Sequence, residues 1–555
     1  MIRKIYLRLL LVAWPGVLIA QDPAHQHAAA PRVSADTVPL YDNLGNHHYT
    51  ISSKVPRAQQ YFNQGIRLYY AFNHAEASRA FNEAARIDPS CAICHWGTAM
   101  AYGPNIHAPM DSAAGVQAYA ALQRAKQHET HASPKERALI RALTPRYAAV
   151  PPAERAALDS AYARAMGEVL RAHPDDPDIA ALYAEALMDL SPWVYWTEAG
   201  EPRPDTRKLL PELERVIART PNHLGACHFY IHAVEQFHPY RAVPCAERLA
   251  GLMPGAGHLV HMPAHIYIRV GRYADAIKAN EHAVHADESY IQDQRPGMGT
   301  YTMGYYPHNY DFLAFAAMMA GRSQQAIGAA RKVESLIPEE MLRAPDMGFL
   351  QHYWTGPLRL LVRFGHWDEI LKASPPPEDL PYARAMWHYA HGVAQAAKGN
   401  PDAAEKELVQ VRTTAENPAL ARMTVGFNSA PAILQIASNV LAGVIAAQRG
   451  NHQEAITRLK EAAKQEDALT YCEPPDWPVP VRHNLGAVLL KAKRPAEAEA
   501  AYREDLKRFP ENGWALHGLA KSLQAQGKTT EAQTVQARLT KAWEGADVRL
   551  TGSRF

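Results

Sequence analysis

The chain has 555 residues, of which 47% are apolar and 21% are charged, so it can bury a large core and is not intrinsically disordered. Lys and Arg number 58 against 56 Asp and Glu, which gives no electrostatic footprint for nucleic acid, and five Cys cannot build a disulfide scaffold of this length. Composition thus excludes a small secreted knot, a polybasic nucleic-acid binder and a multi-span membrane protein, while the His content, 27 residues, is high.

The first twenty residues have the pattern of a secretory signal peptide. Three basic residues, Arg3, Lys4 and Arg8, precede an apolar run that ends at Ala20. The run is too short to cross ~30 Å of hydrocarbon as a helix. A buried first helix is the alternative, but the basic start favours export. We therefore predict a signal peptide (1–20) and a flexible Ala/Pro linker (21–40), with the mature protein periplasmic or extracellular.

A helical repeat begins shortly after the linker. Residues 61–90 place small residues where two antiparallel helices approach, aromatic and small residues in the seam, and a proline at the end. These positions are Gly65, Ala77, Phe81, Ala84 and Pro89. Similar turns recur at Gly271, Gly321, Gly399, Gly450 and Gly527, with a period of ~34 residues in the last part of the chain. Strand signals are essentially absent, so the sequence predicts an all-α, tetratricopeptide-like α-solenoid of antiparallel helix pairs.

Irregular insertions interrupt the array. Residues 292–310 are rich in Gly and Tyr and lack a helical pattern, and 191–204 are aromatic and bounded by prolines. Long insertions of this kind are often functional. The Pro-rich stretch 374–381 marks a predicted boundary. We expect an irregular helical domain at 41–373 and a more regular C-terminal repeat array at 382–555.

Three stretches of the chain have a more specific pattern than the generic repeat: CAICHWGTAMAYGPNIHAPMD (91–111), LYAEALMDLSPWVYW (182–196) and AGHLVHMPAHIYIRVGRYADA (256–276). These stretches resemble a family of large exported bacterial tetratricopeptide-repeat proteins. The resemblance covers most of 41–340 and implies an extracytoplasmic helical array, but it implies no particular reaction. Members of the family tend to carry an aromatic residue directly after the second Cys, where this sequence has His95.

Two neighbouring segments concentrate the histidines in phased rows. The first row has two His and one Glu at i, i+4 and i+7, and the second has three His at i, i+3 and i+7, so each row shares one helix face. The rows are His228, His232 and Glu235, followed by His258, His261 and His265. Pro263 requires the second helix to start, kink or tighten there. Both rows would lie on adjacent first helices roughly 10 Å apart, with His308 at the start of the next one.

Neutral imidazoles beside a carboxylate suit zinc, copper or iron. A site built from the two rows would be a closed structural centre, or an open one that activates water with Glu235 or Tyr306 handling the proton. The alternatives are core histidines that bond to buried polar groups, and an anionic ligand. Neither HExxH nor Gly-x-Ser-x-Gly is present, and no catalytic residue can be assigned.

Cys91, Cys94 and His95 form a CxxCH motif, which in an exported chain is the attachment pattern of c-type haem. Two thioethers would hold the porphyrin and His95 would be the axial ligand. The two Cys could equally form a redox pair or pack as small apolar groups. The remaining cysteines, Cys227, Cys245 and Cys472, have no metal-type spacing, and sequence alone cannot pair them.

These sequence features support three functional hypotheses, one of them more strongly than the others. The leading hypothesis is an exported binding or scaffold protein that receives a protein or peptide partner in its concave groove and carries a metal-capable His site. The alternatives are a metal-dependent enzyme and a monohaem redox protein. No nucleic-acid partner is expected, and no membrane span is expected once the signal peptide is removed.

Overall fold

The structure is a computed structural model that describes residues 38–344 and 346–555. The predicted signal peptide (1–20) and most of the predicted linker (21–40) lie outside the described residues. The described residues form two compact units. Unit 1 comprises the described part of 1–237 together with 251–256, and unit 2 comprises 238–250 and the described part of 257–555.

Unit 1 is built from helices that follow one another as antiparallel pairs. These are α1 (Pro56–Tyr70), α2 (His74–Ile87), α3 (Ala92–Ala101), α4 (Ser112–Gln127), α5 (Pro134–Leu143), α6 (Ala156–Ala172), α7 (Pro177–Met188), α8 (Thr206–Arg219) and α9 (Leu224–Val234). The next helix, α10 (Val243–Leu252), begins in unit 2 and ends in unit 1. Short 3₁₀ turns at Glu129–His131 and Thr144–Arg146 join neighbouring helices.

Unit 2 continues the same architecture. Its first helices are α11 (Gly257–His261), α12 (Pro263–Arg269), α13 (Tyr273–Gln294), α14 (Tyr306–Met319), α15 (Ser323–Leu336), α16 (Leu350–Trp354), α17 (Gly356–Phe364) and α18 (Trp367–Lys372). The later ones are α19 (Pro381–Ala397), α20 (Pro401–Ala415), α21 (Ala430–Gln448), α22 (His452–Asp467), α23 (Val481–Lys491), α24 (Pro495–Arg508), α25 (Gly513–Ala525) and α26 (Thr529–Ala542). Between α20 and α21, β1 (Thr424–Val425) pairs antiparallel with β2 (Asn428–Ser429).

The repeat turns predicted from the sequence are confirmed. In each, a glycine ends the first helix of a pair with positive φ, a conformation that side chains with a Cβ rarely adopt. The φ values are 79° at Gly271, 72° at Gly321, 85° at Gly399, 79° at Gly450 and 73° at Gly527. The fold class is therefore the predicted all-α solenoid of helix pairs.

The seam of the first repeat forms as expected. The Phe81 ring is fully buried between α1 and α3. A Cβ added at Gly65 would lie 2.6 Å from this ring, and one added at Gly97 would lie 2.5 Å from it. Small residues at these two positions therefore let the helices close around one aromatic side chain, which the sequence pattern anticipated at Gly65 and missed at Gly97.

Two expectations about irregular segments need correction. The Pro-rich stretch 374–381 is only the loop between α18 and α19, two helices that pack against each other, and the described residues divide near 237–257 instead. The insertion at 292–310 is mostly helical, because α13 extends to Gln294 and a π-helical turn, Tyr301–Tyr305, leads directly into α14. Its Tyr and Gly residues obscured the apolar periodicity on which the prediction relied.

One helix passes the length and hydropathy test for a membrane span, among the residues that the structure describes. This helix is α21, which has 19 residues and a mean hydropathy of 1.7 in its most apolar window. The sequence interpretation had found no such stretch after the signal peptide. Because 78% of that window is buried inside unit 2, α21 packs as a core helix.

Candidate metal centre

A break between two short helices positions the second histidine row. Pro263 has no N–H to donate, so α11 ends at His261 and α12 begins one residue after Met262. The sequence had predicted a start, kink or tightening at this proline, and the break confirms it. Despite the break, the His261 and His265 rings remain neighbours, with centroids 4.7 Å apart.

Three imidazoles of unit 2 come together at this break. His308, in the first turn of α14, has its ring centroid 4.9 Å from that of His261 and 5.8 Å from that of His265. One ring nitrogen from each residue lies within 4.8 Å of the others. The Phe312 ring, one turn beyond His308, contacts all three, with centroid distances of 4.5, 4.5 and 5.0 Å. We call these residues the three-histidine cluster.

Asn280 sets the tautomer of His261. The Asn280 side-chain amide donates to the Ala276 carbonyl over 2.8 Å, which leaves its oxygen as an acceptor. His261 Nδ1 lies 2.7 Å from this oxygen and therefore donates to it. The lone pair of the neutral ring is then on Nε2. A ligating histidine typically has its second nitrogen oriented in this way by an outer hydrogen bond.

Burial keeps the other two imidazoles neutral. Desolvation lowers the pKa of His265 to about 4 and that of His308 to about 3, with the nearby His265 also lowering the latter. Both rings are thus unprotonated at neutral pH, which is the form that binds a metal ion. Three neutral imidazoles can hold zinc, copper or iron and leave a coordination position open.

Two residues predicted for this region lie beside the cluster without joining it. The His258 ring packs 4.5 Å from Tyr305 and 6.0 Å from His261. The Tyr306 hydroxyl, one of the candidate proton-handling groups, donates to Glu288 over 2.9 Å. Burial, together with this hydrogen bond, raises the pKa of Tyr306. The Tyr306 hydroxyl is therefore bonded to Glu288 of α13.

The first predicted row lies in unit 1. On α9, the His228 and His232 ring centroids are 5.0 Å apart, and His232 Nδ1 lies 3.5 Å from Glu235. His228 Nδ1 donates to the Tyr70 carbonyl over 2.6 Å. All three members of the row are buried. Because the two rows belong to different units, a centre that both rows share stays a prediction.

A second polar cluster in unit 1 was missed by sequence analysis. The Asp178 carboxylate accepts on one oxygen from Tyr70 over 2.8 Å, from His47 over 3.0 Å and from His223 over 3.2 Å. His223 Nδ1 accepts the Ala226 N–H at the start of α9, so its Nε2 carries the hydrogen that Asp178 receives. Neither His223 nitrogen can then offer a lone pair, and the cluster is a hydrogen-bonded network instead of a metal site. His47 precedes α1 in a non-helical segment, and the other residues lie on or beside three different helices, so no spacing links them.

The CxxCH motif lies at the start of α3. Cys91 is the N-cap residue of this helix and forms a disulfide with Cys94. His95 Nε2 lies 3.2 Å from the Pro89 carbonyl oxygen, and burial lowers the pKa of His95. Haem attachment consumes both sulfur atoms, so a disulfide and a haem exclude each other at this motif. The redox-pair alternative needs no change in this arrangement.

Comparison with known proteins supports the repeat assignment. Residues 489–543, which contain α24, α25 and α26, match the family model described as tetratricopeptide repeat. The last three helices of the chain are therefore similar to tetratricopeptide repeats. Arrays of these repeats commonly bind protein partners along their stacked helices.

Two solved structures align with most of the chain at low sequence identity. The APC/C heterotetramer Cut9–Hcn1 is 12% identical, with 88% of this chain and 76% of that chain covered and a TM-score of 0.29. The human IFIT1 dimer with m7Gppp-AAAA is also 12% identical, with coverages of 90% and 91% and a TM-score of 0.29. No curated protein matches the chain in sequence.

Proposed function

We propose that the chain is an exported tetratricopeptide-repeat protein that binds a transition-metal ion at the three-histidine cluster and docks a protein or peptide partner on its repeats. Export is supported by the basic-then-apolar pattern of 1–20 and by the resemblance to exported repeat proteins. Docking is supported by the helix pairs of unit 2, and the near-balance of charge argues against a nucleic-acid partner.

The observation that carries the metal proposal is the convergence of His261, His265 and His308. In a tetrahedral zinc site, Zn–N distances of ~2.1 Å place ligand nitrogens roughly 3.4 Å apart. The three ring nitrogens lie within 4.8 Å of one another, so modest side-chain rotation would bring them to bonding distance. Core histidines explain the packing against Phe312, but they do not require three neutral rings to point nitrogens toward one centre.

A three-imidazole site has a defined chemical range. Zinc held by three protein ligands keeps a position for water and lowers the pKa of that water to about 7, whereas copper or iron in the same ligands supports redox chemistry. A metal-dependent hydrolytic or redox activity is therefore the second candidate function.

Elemental analysis of the purified full chain tests the metal proposal. We expect about one equivalent of metal in the wild-type chain, and loss of that metal in His261→Gln and in His308→Gln, because glutamine keeps the side-chain size without the imidazole ligand. His282→Gln, which changes an exposed His on α13, is the matched control and should retain the ion. Circular dichroism should show that all variants are folded. Equal metal contents in the four proteins, or none in the wild type, would reject the site.

A further inference from the structure

The last nine residues of the sequence lie in a groove of the C-terminal repeats. Residues 547–555, the strap segment, follow α26 and run back along unit 2 without regular secondary structure. Asp547 caps α15 by accepting the N–H groups of Ser323 over 2.6 Å and Gln324 over 3.0 Å. Trp543 then donates its indole N–H to a strap carbonyl over 2.8 Å. These bonds fix where the strap segment enters the groove.

Ser553 occupies a seat made for a small hydroxyl side chain. It is 1% exposed, and its Oγ donates to the His483 carbonyl over 2.7 Å. The Tyr502 hydroxyl lies 2.6 Å from Ser553 Oγ. Arg363 donates to the Ser553 carbonyl over 3.3 Å. The seat thus engages both the side chain and the backbone carbonyl of Ser553.

The walls of this seat are held by contacts that do not involve the strap segment. Arg363 stacks 3.6 Å from the Trp514 ring centroid and donates to His483 Nδ1 over 3.0 Å. His483 in turn donates from Nε2 to Asp505 over 2.9 Å. The Tyr502 ring packs against Gly486 of α23 and Gly518 of α25. A recess that its own framework supports is a preformed binding site.

The residues after Ser553 also have defined neighbours. Phe555 packs over Gly365 and lies with its ring 5.8 Å from Trp514, yet it is 38% exposed. Burial lowers the pKa of Arg554, whose charge lies near the hydroxyls of Tyr502 and Tyr389. Among the described residues, no carboxylate forms an ion pair with Arg554. A partly buried guanidinium without a carboxylate weakens the hold of the strap segment.

The strap segment is held more loosely than the helices around it. Ser553 is its one fully buried residue, whereas Asp547, Arg549, Thr551 and Phe555 are exposed. Most of its backbone makes no regular hydrogen-bonded ladder. Segments with few buried contacts open locally at a small fraction of the global unfolding free energy.

We infer that this groove is a peptide-binding site for an extended partner segment of the form serine, any residue, aromatic residue, and that the strap segment fills it as a displaceable internal competitor. The inference rests on the proposed docking function and is independent of the metal. Serine supplies the hydroxyl that contacts the Tyr502 hydroxyl and the His483 carbonyl in this seat. A neutral residue in place of Arg554 would favour the partner over the strap segment.

Peptide binding to the full chain tests the inference. The probe is a fluorescein-labelled, amidated peptide of the strap sequence DVRLTGSRF, and the measurement is fluorescence anisotropy. Ser553→Trp cannot enter the seat and should release the strap segment, so this variant should bind the probe at least tenfold more tightly than the wild type. Thr551→Trp, the same change at an exposed position two residues earlier, should bind like the wild type. A probe with tryptophan in place of its serine should not bind.

A second measurement on the wild-type chain covers the case in which Ser553→Trp does not fold. Hydrogen exchange should show the strap amides exchanging at least a hundredfold faster than those of α23 and α25. Equal protection, or probe binding unchanged by a folded Ser553→Trp, would overturn the inference. Peptides selected from a random library separate the two claims. Equal binding of these peptides to the wild type and to Ser553→Trp would support peptide docking and refute competition by the strap segment. Binding to neither protein would refute both claims.

Discussion

Asn280 Oδ1 lies 2.7 Å from His261 Nδ1, and this hydrogen bond leaves the lone pair of the neutral His261 ring on Nε2. Residue 280 lies on α13, whereas His261 ends α11, so an outer hydrogen bond from a neighbouring helix orients a proposed ligand. Outer hydrogen bonds of this kind fix the tautomer and raise the basicity of the ligating nitrogen.

Asn280→Leu should weaken metal binding without removing a ligand. Loss of the acceptor frees His261 to adopt the other tautomer, so we expect the dissociation constant to rise about 10–100-fold. Asn280→Asp retains the acceptor and should bind at least as tightly as the wild type. Competition with a chromophoric chelator measures both constants. An unchanged constant in Asn280→Leu would show that this hydrogen bond does not orient a ligand.

Asp178→Asn should destabilise unit 1 at neutral pH. Burial raises the pKa of Asp178, but the contacts with His223 and His47 outweigh burial and hold that pKa well below the usual range. A lowered folded pKa contributes stability above the unfolded value of about 3.9, and that stability is lost as the pH falls below it. We expect a loss of about 2–3 kcal/mol at pH 7 that shrinks below pH 4.

Urea denaturation at pH 7 and pH 3.5 measures this difference. Asp175→Asn, a change at an exposed neighbour, is the matched control and should have little effect at either pH. Because His223 has no lone pair to offer, a chelator should leave the unfolding midpoint associated with unit 1 unchanged. A chelator-dependent midpoint that Asp178→Asn abolishes would assign an ion to this cluster after all.

Much of the fold could be predicted from the sequence because tetratricopeptide positions are local. Gly65, Phe81 and the turn glycines occur at fixed spacing within one repeat, and each does in the structure what its spacing predicts. The candidate site was predictable only between residues that are close in sequence. His261 and His265 are four residues apart and stay neighbours across the break at Pro263. Asn280 and Glu288, by contrast, reach His261 and Tyr306 through tertiary packing. Neither relationship leaves a periodic signal.

The boundary prediction at 374–381 failed for a related reason. Proline-rich composition marks a loop, and a loop lies there, between α18 and α19. Whether a loop also separates two cores depends on contacts between the helices that flank it. Those helices pack on each other, whereas the actual division near 237–257 has no unusual composition.

Asp287→Asn should change the pH dependence of unit 2. Burial raises the pKa of Asp287 to about 7 despite opposing hydrogen bonds from Tyr301 and Asn309. A raised folded pKa gives stability that is fully present below about pH 3.9 and is lost as the pH rises toward 7, by about 1.4 kcal/mol for each pKa unit. Asparagine does not ionise, and a rotated Asn309 amide can accept from it.

Relative to the wild type, Asp287→Asn should therefore become progressively more stable between pH 4.5 and pH 8. Urea midpoints at pH 4.5, 6 and 8 measure the trend, and the difference between the two proteins is the relevant quantity because other buried acids titrate in both. Parallel pH profiles for the two proteins would show that Asp287 does not ionise over this range.

A final prediction distinguishes a Cys91–Cys94 disulfide from haem attachment at the same two residues. Closing so short a loop should contribute only about 2 kcal/mol, so Cys91→Ser with Cys94→Ser should fold with a modestly lowered urea midpoint. In a host that supplies the cytochrome-maturation machinery, the wild-type chain should be colourless and show the mass of a disulfide-bonded protein. A Soret band with the mass of covalent haem, lost in the double variant, would replace the disulfide with a haem site in which His95 is the axial ligand.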